Sequence, residues 1–92
     1  MRTLNLAGKT WTIVWRDDLY KDEEEYGSCQ HHLCRINLDA TVHEDQQRET
    51  LLHEMIHAVD PKASERRVDH ISRGLFAALK GNPEIRNWIF GD

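Results

Sequence analysis

Hydrophobic and polar residues alternate along the first third of the chain, as they do in strands that bury one face. Residues 4–6 and 10–15 show this alternation on either side of Ala7-Gly8-Lys9, which predicts a β-hairpin. Residues 33–38 alternate again and predict a third strand. The acidic stretch between them, residues 17–27, is predicted to be a connection with a short helical turn at Leu19 and Tyr20.

The pattern then changes to helical spacing, and residues that favour helix ends divide it into three segments. Thr41 and Glu44 fit a capping box at the start of the first segment, and Pro61 ends it because proline disfavours helical geometry in the residue ahead of it. Ser64 can cap the second segment, and Pro83 suits the first position of the third. The predicted helices cover about residues 41–59, 64–80 and 83–90.

These elements predict an α+β fold in which a small three-stranded sheet, the N-terminal hairpin plus an edge strand, packs on two successive helices and a short C-terminal helix follows. The chain has 92 residues and 39% hydrophobic content, so residues 1–92 are expected to form a single small domain with a thin stability margin. Trp88, Ile89 and Phe90 are expected to pack the terminal helix onto the core.

The charge and hydropathy of the chain limit the classes of partner that it is expected to bind. The formal net charge of −4 offers no basic field for phosphate backbones, which argues against nucleic acid as the main partner. No apolar stretch approaches the roughly 20 residues that cross a bilayer, and the N-terminal residues lack the apolar core of a signal peptide. We therefore expect a cytoplasmic monomer without membrane contact, in which Cys29 and Cys34 are reduced; a secreted form could instead close them into a small loop.

Residues 53–57 read HExxH inside the first predicted helix. Because a helix advances about 100° per residue, His53 and His57 share one face and can direct two imidazoles at one cation. Glu54 lies on the flank of that face, where it can hold a metal-bound water. The apolar residues of this helix form the opposite arc, so the helix is expected to bury one side and present the site from the other. The alternative is a solvated polar face that happens to contain histidines.

A catalytic zinc takes three protein ligands and keeps one position for water, so one ligand remains to be found. The acidic candidates after the motif are Asp60, Glu65 and Asp69, with His70 as a further one. On the second helix Glu65 lies nearest the apolar arc and is the preferred ligand, although an acidic residue also suits a helix N-terminus. Asp69 is the reserve ligand or an acceptor for an imidazole N–H; Asp60 could accept likewise, or simply end the helix.

A second cluster of ligand types lies at Cys29, His31, His32 and Cys34. Thiolates and imidazoles bind zinc well, but two cysteines without a further Cys/His pair are a weak zinc signal. We expect ordinary residues that enter a strand, with His31 or His32 approaching the cleft. A structural zinc is the alternative.

The motif and its surroundings resemble the zincin metallopeptidases, in the gluzincin arrangement of HExxH plus a later glutamate. The chain is most similar to very small single-domain metallopeptidases encoded by phages and prophages, over residues 36–38, 46–60, 65–68, Leu75 and Asn82-Pro83. The run before HExxH also resembles the ImmA/IrrE-type and SprT-type proteases. The resemblance implies a strand that borders the cleft, zinc ligation by His53, His57 and Glu65, and Glu54 as general base and later acid.

The leading hypothesis is a zinc-dependent peptidase that cleaves peptide bonds with a water activated by Glu54. The peptide is expected to lie along the edge strand near Cys34 and Leu38, and to pair with it as an added strand. Tyr20, Tyr26 and His70 are candidate donors to the tetrahedral oxyanion.

Two other classes of function remain open at this point. One is a metal-binding interaction module with little or no turnover, because a small domain offers a shallow cleft. The other is a phage regulatory protein that binds a host partner through Trp88, Ile89 and Phe90.

Overall fold

A computed structural model describes residues 2–23 and 25–91 and confirms the α+β class. A 3-10 turn at His31–Leu33 links the last two strands. The strands and helices, in chain order, are β1 (Arg2–Leu6), β2 (Lys9–Arg16), α1 (Leu19–Glu23), β3 (Gly27–Gln30), β4 (Arg35–Asp39), α2 (Glu44–Val59), α3 (Glu65–Gly81) and α4 (Pro83–Phe90).

The sheet has the order β1-β2-β4-β3 and is mixed. The β1–β2 and β4–β3 pairs are antiparallel, and the β2–β4 pair is parallel. The predicted hairpin is confirmed: Ala7 (φ 51°) and Gly8 (φ 81°) both have positive φ, as a type I′ turn between two twisted strands requires.

The prediction of three strands is wrong, because β3 adds a fourth. Gly27–Gln30 lacks the apolar alternation that marks a strand, and it is a strand because its backbone pairs with β4. The prediction that the stretch near Cys34 and Leu38 is an edge strand is wrong for the same reason. Ile36 faces Ile13 on one side and Cys29 on the other, so β4 has no free backbone edge. In the described part of the sheet the edges are β1 and β3.

One face of the sheet packs against α2 and forms the core. The other face of β4 carries two buried polar side chains, Asn37, which donates to Ser28 and Gln30, and Asp39, which lies against α1. The buried core residues of β2 and β4 are Trp11, Ile13, Ile36 and Leu38, and the residues of α2 packed against them are Leu51, Met55 and Ala58.

The start of α2 differs from the prediction. Its N-cap is His43, whose Nδ1 accepts from the backbone N of Asp45 (3.1 Å), so the predicted capping box is wrong. The Thr41 hydroxyl instead donates to Asp39 Oδ1 (2.5 Å), a buried carboxylate that is the stronger acceptor.

The other predicted helix ends are confirmed. α2 ends at Val59, ahead of Pro61. Ser64 caps α3, where its Oγ accepts from the backbone N of Arg67 (3.1 Å), and Pro83 begins α4. No helix of residues 2–23 and 25–91 has both the length and the apolar character needed to span a membrane.

The expected packing of α4 onto the core is wrong. Trp88 is 81% exposed, and Ile89 and Phe90 are exposed as well. α4 contains no buried residue, and its main packing partner is α3. These side chains therefore contribute little to the core.

We expect this difference between core and terminal helix to appear in stability measurements. Trp11→Ala should lower the free energy of unfolding by about 3–5 kcal/mol, because it empties a packed site. Trp88→Ala should change it by only about 0.5 kcal/mol, as exposed positions do. Urea denaturation measures both variants, and a comparable loss at Trp88 would contradict the exposed position of α4.

Asp39 connects three parts of the fold through its buried carboxylate. It accepts hydrogen bonds from the backbone N of Tyr20 in α1 (2.8 Å) and from the backbone N of Thr41 (2.8 Å), in addition to the Thr41 hydroxyl. The hydroxyl bond is the largest cause that lowers the pKa of Asp39, with the two backbone bonds adding to it and burial opposing them.

Replacement of this carboxylate should destabilise the protein in a pH-dependent way. Asp39→Ala should lower the free energy of unfolding by about 1.5–3 kcal/mol near neutral pH, because three donors lose a charged acceptor. The native pKa is lowered, so the contribution is complete above the unfolded pKa of about 3.9 and is lost as the pH falls toward the native value.

Urea denaturation at about pH 6 and about pH 3 should therefore show the difference between wild type and Asp39→Ala shrinking in acid. Asp60→Ala, at an exposed residue, is the matched control and should show no such trend. A pH-independent difference for Asp39→Ala would refute the linkage.

Candidate metal centre

Two helices bring three metal-ligand side chains together. α2 supplies His53 and His57, one turn apart, and the short connection over residues 60–64 returns the first residue of α3, Glu65, to their side. His53 Nε2 lies 2.6 Å from Glu65 Oε1, and His57 Nε2 lies 2.9 Å from Glu65 Oε2. The three ligand atoms lie within 4.8 Å of one another, so the group could bind a metal ion.

The dimensions suit a small cation. A tetrahedral ion with bonds of about 2.0–2.1 Å holds its ligand atoms about 3.3 Å apart. The observed N···O distances are a little shorter, and the Glu65 side chain is 75% exposed, so it has room to move back and admit an ion.

The ring of His53 is oriented from the side opposite the ligand atoms. Its Nδ1 lies 3.4 Å from Ser72 Oγ and 3.8 Å from Asp69 Oδ1. Ser72 donates its own proton to the backbone O of Asp69 (3.1 Å), which leaves its oxygen free to accept from Nδ1–H. A proton on Nδ1 leaves Nε2 with its lone pair, the form in which histidine binds a metal.

Asp69 therefore lies beside His53 and outside the ligand group. Its Oδ1 is 3.8 Å from His53 Nδ1, beyond hydrogen-bond distance, and pairs instead with Arg73 Nε (3.3 Å), so the predicted acceptor role stays a prediction. The sequence analysis assigned no role to Ser72. Its signal was its spacing of two turns from Glu65, which places both on the face of α3 that meets α2.

His57 is held through its backbone. His31 Nε2–H donates to the backbone O of His57 (2.9 Å), and the His31 ring stands edge-on to Trp11 with the ring centroids 5.8 Å apart. The expectation that His31 or His32 approaches the cleft is confirmed for His31, which lines it. His32 is exposed on the 3-10 turn.

Glu54 is buried beside the ligand group and is only 7% exposed. The motif face of α2 opens into the cleft opposite its packed apolar residues, as predicted, but β3 lies against this face and buries Glu54, which the sequence did not predict. Gly27 allows that approach: a Cβ there would lie 2.5 Å from Thr50 Cγ2 and 2.9 Å from the backbone O of Asn37. Only a residue without a side chain fits at this position.

The pKa of Glu54 is raised to about 7, chiefly by burial; the charge of His53 lowers it, and those of Glu65 and Glu25 add smaller increases. A carboxyl group with this pKa can accept and release a proton near neutral pH.

A cleft of about 630 Å³ opens between β3, α2 and α3, with the ligand group and Glu54 on its walls. Tyr26 lines it and stacks on Tyr20 with the ring centroids 4.5 Å apart. His70 lines a different groove, on the outer side of α3. Of the three predicted oxyanion donors, only Tyr26 is brought into the cleft.

The second cluster does not assemble into a metal site. Cys29 Sγ lies 3.9 Å from the His31 ring nitrogens, and Cys34 Sγ lies 3.8 Å from the backbone O of His31. Burial raises the pKa of Cys29 to about 11, with smaller increases from Glu54 and Cys34, so its thiol stays protonated. Among the described residues, the group that could hold a metal is the one formed by the two motif histidines and Glu65.

Asp60 follows the last residue of α2 as its C-cap and is exposed, in agreement with the helix-ending role. Its backbone N donates to the backbone O of Ile56 (2.8 Å).

We compared the chain with known proteins and found no match to a protein family, a curated protein or a solved structure. The resemblance to zincins and to phage-encoded metallopeptidases stays a prediction that rests on the motif and the residues quoted above.

Proposed function

We propose that the protein is a zinc-dependent metallopeptidase in which His53, His57 and Glu65 hold the ion and Glu54 moves the proton. The observation that carries the proposal is the convergence of both histidine Nε2 atoms on the Glu65 carboxylate, with Glu54 buried beside them. Two imidazoles and one carboxylate are a ligand set of catalytic zinc, and they leave a coordination position open.

When bound, Zn²⁺ supplies Lewis acidity toward water and toward a peptide carbonyl. Glu54, buried beside the ligand group, would take a proton from the attacking water and then deliver it to the leaving amine. Ser72 lies against His53 Nδ1, and as an acceptor there it would favour the tautomer that leaves Nε2 free for the ion; the Asp69 carboxylate adds negative charge on the same side. Tyr26 is the proposed hydrogen-bond donor to the tetrahedral oxyanion, because it lines the cleft.

The proposed substrate is an extended peptide that pairs with β3. This strand replaces the one expected from the sequence, because β3 pairs only with β4 in the described part of the sheet and contributes Gly27, Ser28 and Cys29 to the cleft. A free strand edge beside the metal centre can align the peptide backbone through main-chain hydrogen bonds.

The ligand assignment predicts a graded loss of zinc affinity. Glu65→Gln should weaken zinc binding most, because it removes a ligand charge, whereas Asp69→Asn and Ser72→Ala should weaken it by about 10–100-fold through the orientation of His53. Competition with a chromophoric chelator measures each affinity.

Glu49→Gln is the matched control, since Glu49 lines the same cleft but is not part of the ligand group. Zinc should also raise the melting temperature of the wild type and not that of Glu65→Gln. The assignment fails if Asp69→Asn abolishes binding while Glu65→Gln retains it.

The proton-transfer role predicts a separation of binding from turnover. Glu54→Gln should keep one zinc per chain and lower the cleavage rate by about 10²–10⁴-fold, because the general base is lost while the ligands remain. Zinc content and cleavage of fluorescently labelled casein are the two measurements, with Glu49→Gln again as the control. Equal cleavage by wild type and Glu54→Gln would refute the mechanism.

A second candidate is a metal-binding interaction module without turnover. The exposed apolar side chains of α4, Trp88 above all, favour it, because such surfaces commonly contact other proteins. In that case wild type and Glu54→Gln bind zinc equally and neither cleaves any peptide.

A further inference from the structure

The outer side of α3 carries a basic groove in an otherwise acidic protein. Arg66, His70 and Arg73 follow the i, i+4, i+7 spacing of one helix face, and Arg67 lies beside them. They line a groove of about 810 Å³. Its one acidic residue, Asp69, is already engaged by Arg73, with 3.3 Å between Oδ1 and Nε. We call this surface, formed by Arg66, Arg67, His70, Arg73 and Gly74, the basic groove.

Two arginines of the basic groove, Arg66 and Arg67, form no ion pair with the described residues. No carboxylate among the described residues forms an ion pair with Arg66 or Arg67, although the protein has a net charge of −4 and other exposed cations, such as Arg48 and Lys80, are paired. Their guanidinium groups are therefore available for carboxylates from another chain, which they can bind through two parallel hydrogen bonds.

Gly74 forms part of the lining of the groove and has no packing role. A glycine in a helix interior is less favourable than alanine, because it loses more backbone freedom on folding. A Cβ at Gly74 would meet nothing within 4 Å, so no neighbour requires its absence. Because Gly74 has no side chain, the helix backbone is open between the arginines. The backbone of a bound segment can approach it closely there.

The basic groove continues into the metal cleft. Asp69 and Arg73 line both of them, and Arg73 also lies 3.9 Å from Glu49 on the cleft wall. From Arg66 to Arg73 the helix rises about 10 Å, the length of about three residues of extended chain. One polypeptide can therefore occupy both surfaces.

We propose that the basic groove binds an acidic segment of the polypeptide substrate, about three to four residues long, while adjoining residues of the same chain cross the metal centre. The proposal rests on the proposed peptidase function, because the segment belongs to the substrate. Attraction between the arginines and the carboxylates of the segment gives the protein its affinity for the substrate. It also determines which region of the substrate reaches the metal centre.

A polypeptide fits these surfaces better than a nucleic acid does. Glu49 and Glu65 line the cleft immediately beside the groove. A continuous phosphate backbone would carry negative charge past both carboxylates, whereas a polypeptide can be acidic over the groove and neutral over the cleft.

The test measures how tightly an acidic peptide binds to the Glu54→Gln protein loaded with zinc. The probe is a fluorescein-labelled peptide that contains four consecutive glutamates, and its affinity is read by fluorescence anisotropy. The joint change Arg66→Glu and Arg67→Glu should weaken binding at least about tenfold, because attraction becomes repulsion at two positions. Arg86→Glu and Lys9→Glu, made together as a matched charge reversal outside the groove, should change it less than about twofold.

Gly74→Gln gives an independent readout. Its side chain enters open space, so the melting temperature should not fall, yet the probe should bind several-fold more weakly. Arg66→Gln with Arg67→Gln is a milder version of the charge change, for use if the double reversal alters the circular dichroism spectrum.

Three results would overturn the proposal: equal binding of the peptide with glutamine in place of glutamate, no loss on charge reversal in the groove, or tighter binding of a short single-stranded DNA through the same arginines. Failure of the proposed function looks different. If wild type binds the glutamate peptide through these arginines but cleaves no peptide, the metallopeptidase assignment fails and the acidic-segment groove remains.

Discussion

The close packing of β3 on α2 is the contact on which the candidate site depends. It is possible because Gly27 has no side chain where a Cβ would overlap Thr50 and the backbone of β4. This contact buries Glu54 and so raises its pKa to about 7. It also forms one wall of the cleft and leaves the second edge of β3 beside the metal ligands. One small residue thus links the packing of the sheet to the chemistry proposed for the helix.

The ligand group depends on a second constraint, the return of the chain after α2. Ser64 begins α3 so early that Glu65, in its first turn, already lies against both motif histidines. Two turns further on, Ser72 is buried against α2, and its Oγ lies 3.4 Å from His53 Nδ1. A single helix face therefore contributes both the carboxylate and the group that orients one imidazole, and their relative positions are as rigid as the helix itself.

The distribution of charged side chains matches a cation site in the cleft and an anion-binding surface in the basic groove. Acidic side chains gather in the cleft, where a cation would be bound, and unpaired arginines lie on the outer side of the same helix. A small domain has few loops with which to build substrate subsites, and adjoining faces of α3 supply two different binding surfaces instead. The exposed apolar side chains of α4 are separate from both.

Local sequence determined the helices and the motif geometry of this protein. Helix ends at Val59, Ser64 and Pro83 follow from caps and prolines, and the i, i+4 spacing alone aligns His53 with His57. These features depend on interactions within a few residues, which a linear pattern records.

Only the tertiary structure decided the remaining features. β3 exists because β4 pairs with it. The Thr41 hydroxyl bonds the buried carboxylate of Asp39, and His43 caps α2 instead. Trp88 is exposed because the packing of α4 on α3 leaves that side chain in solvent. The burial of Glu54 and the position of Ser72 likewise depend on partners more than ten residues away along the chain. Long-range contacts leave no periodic signal in the sequence, so they become visible only when the chain is folded.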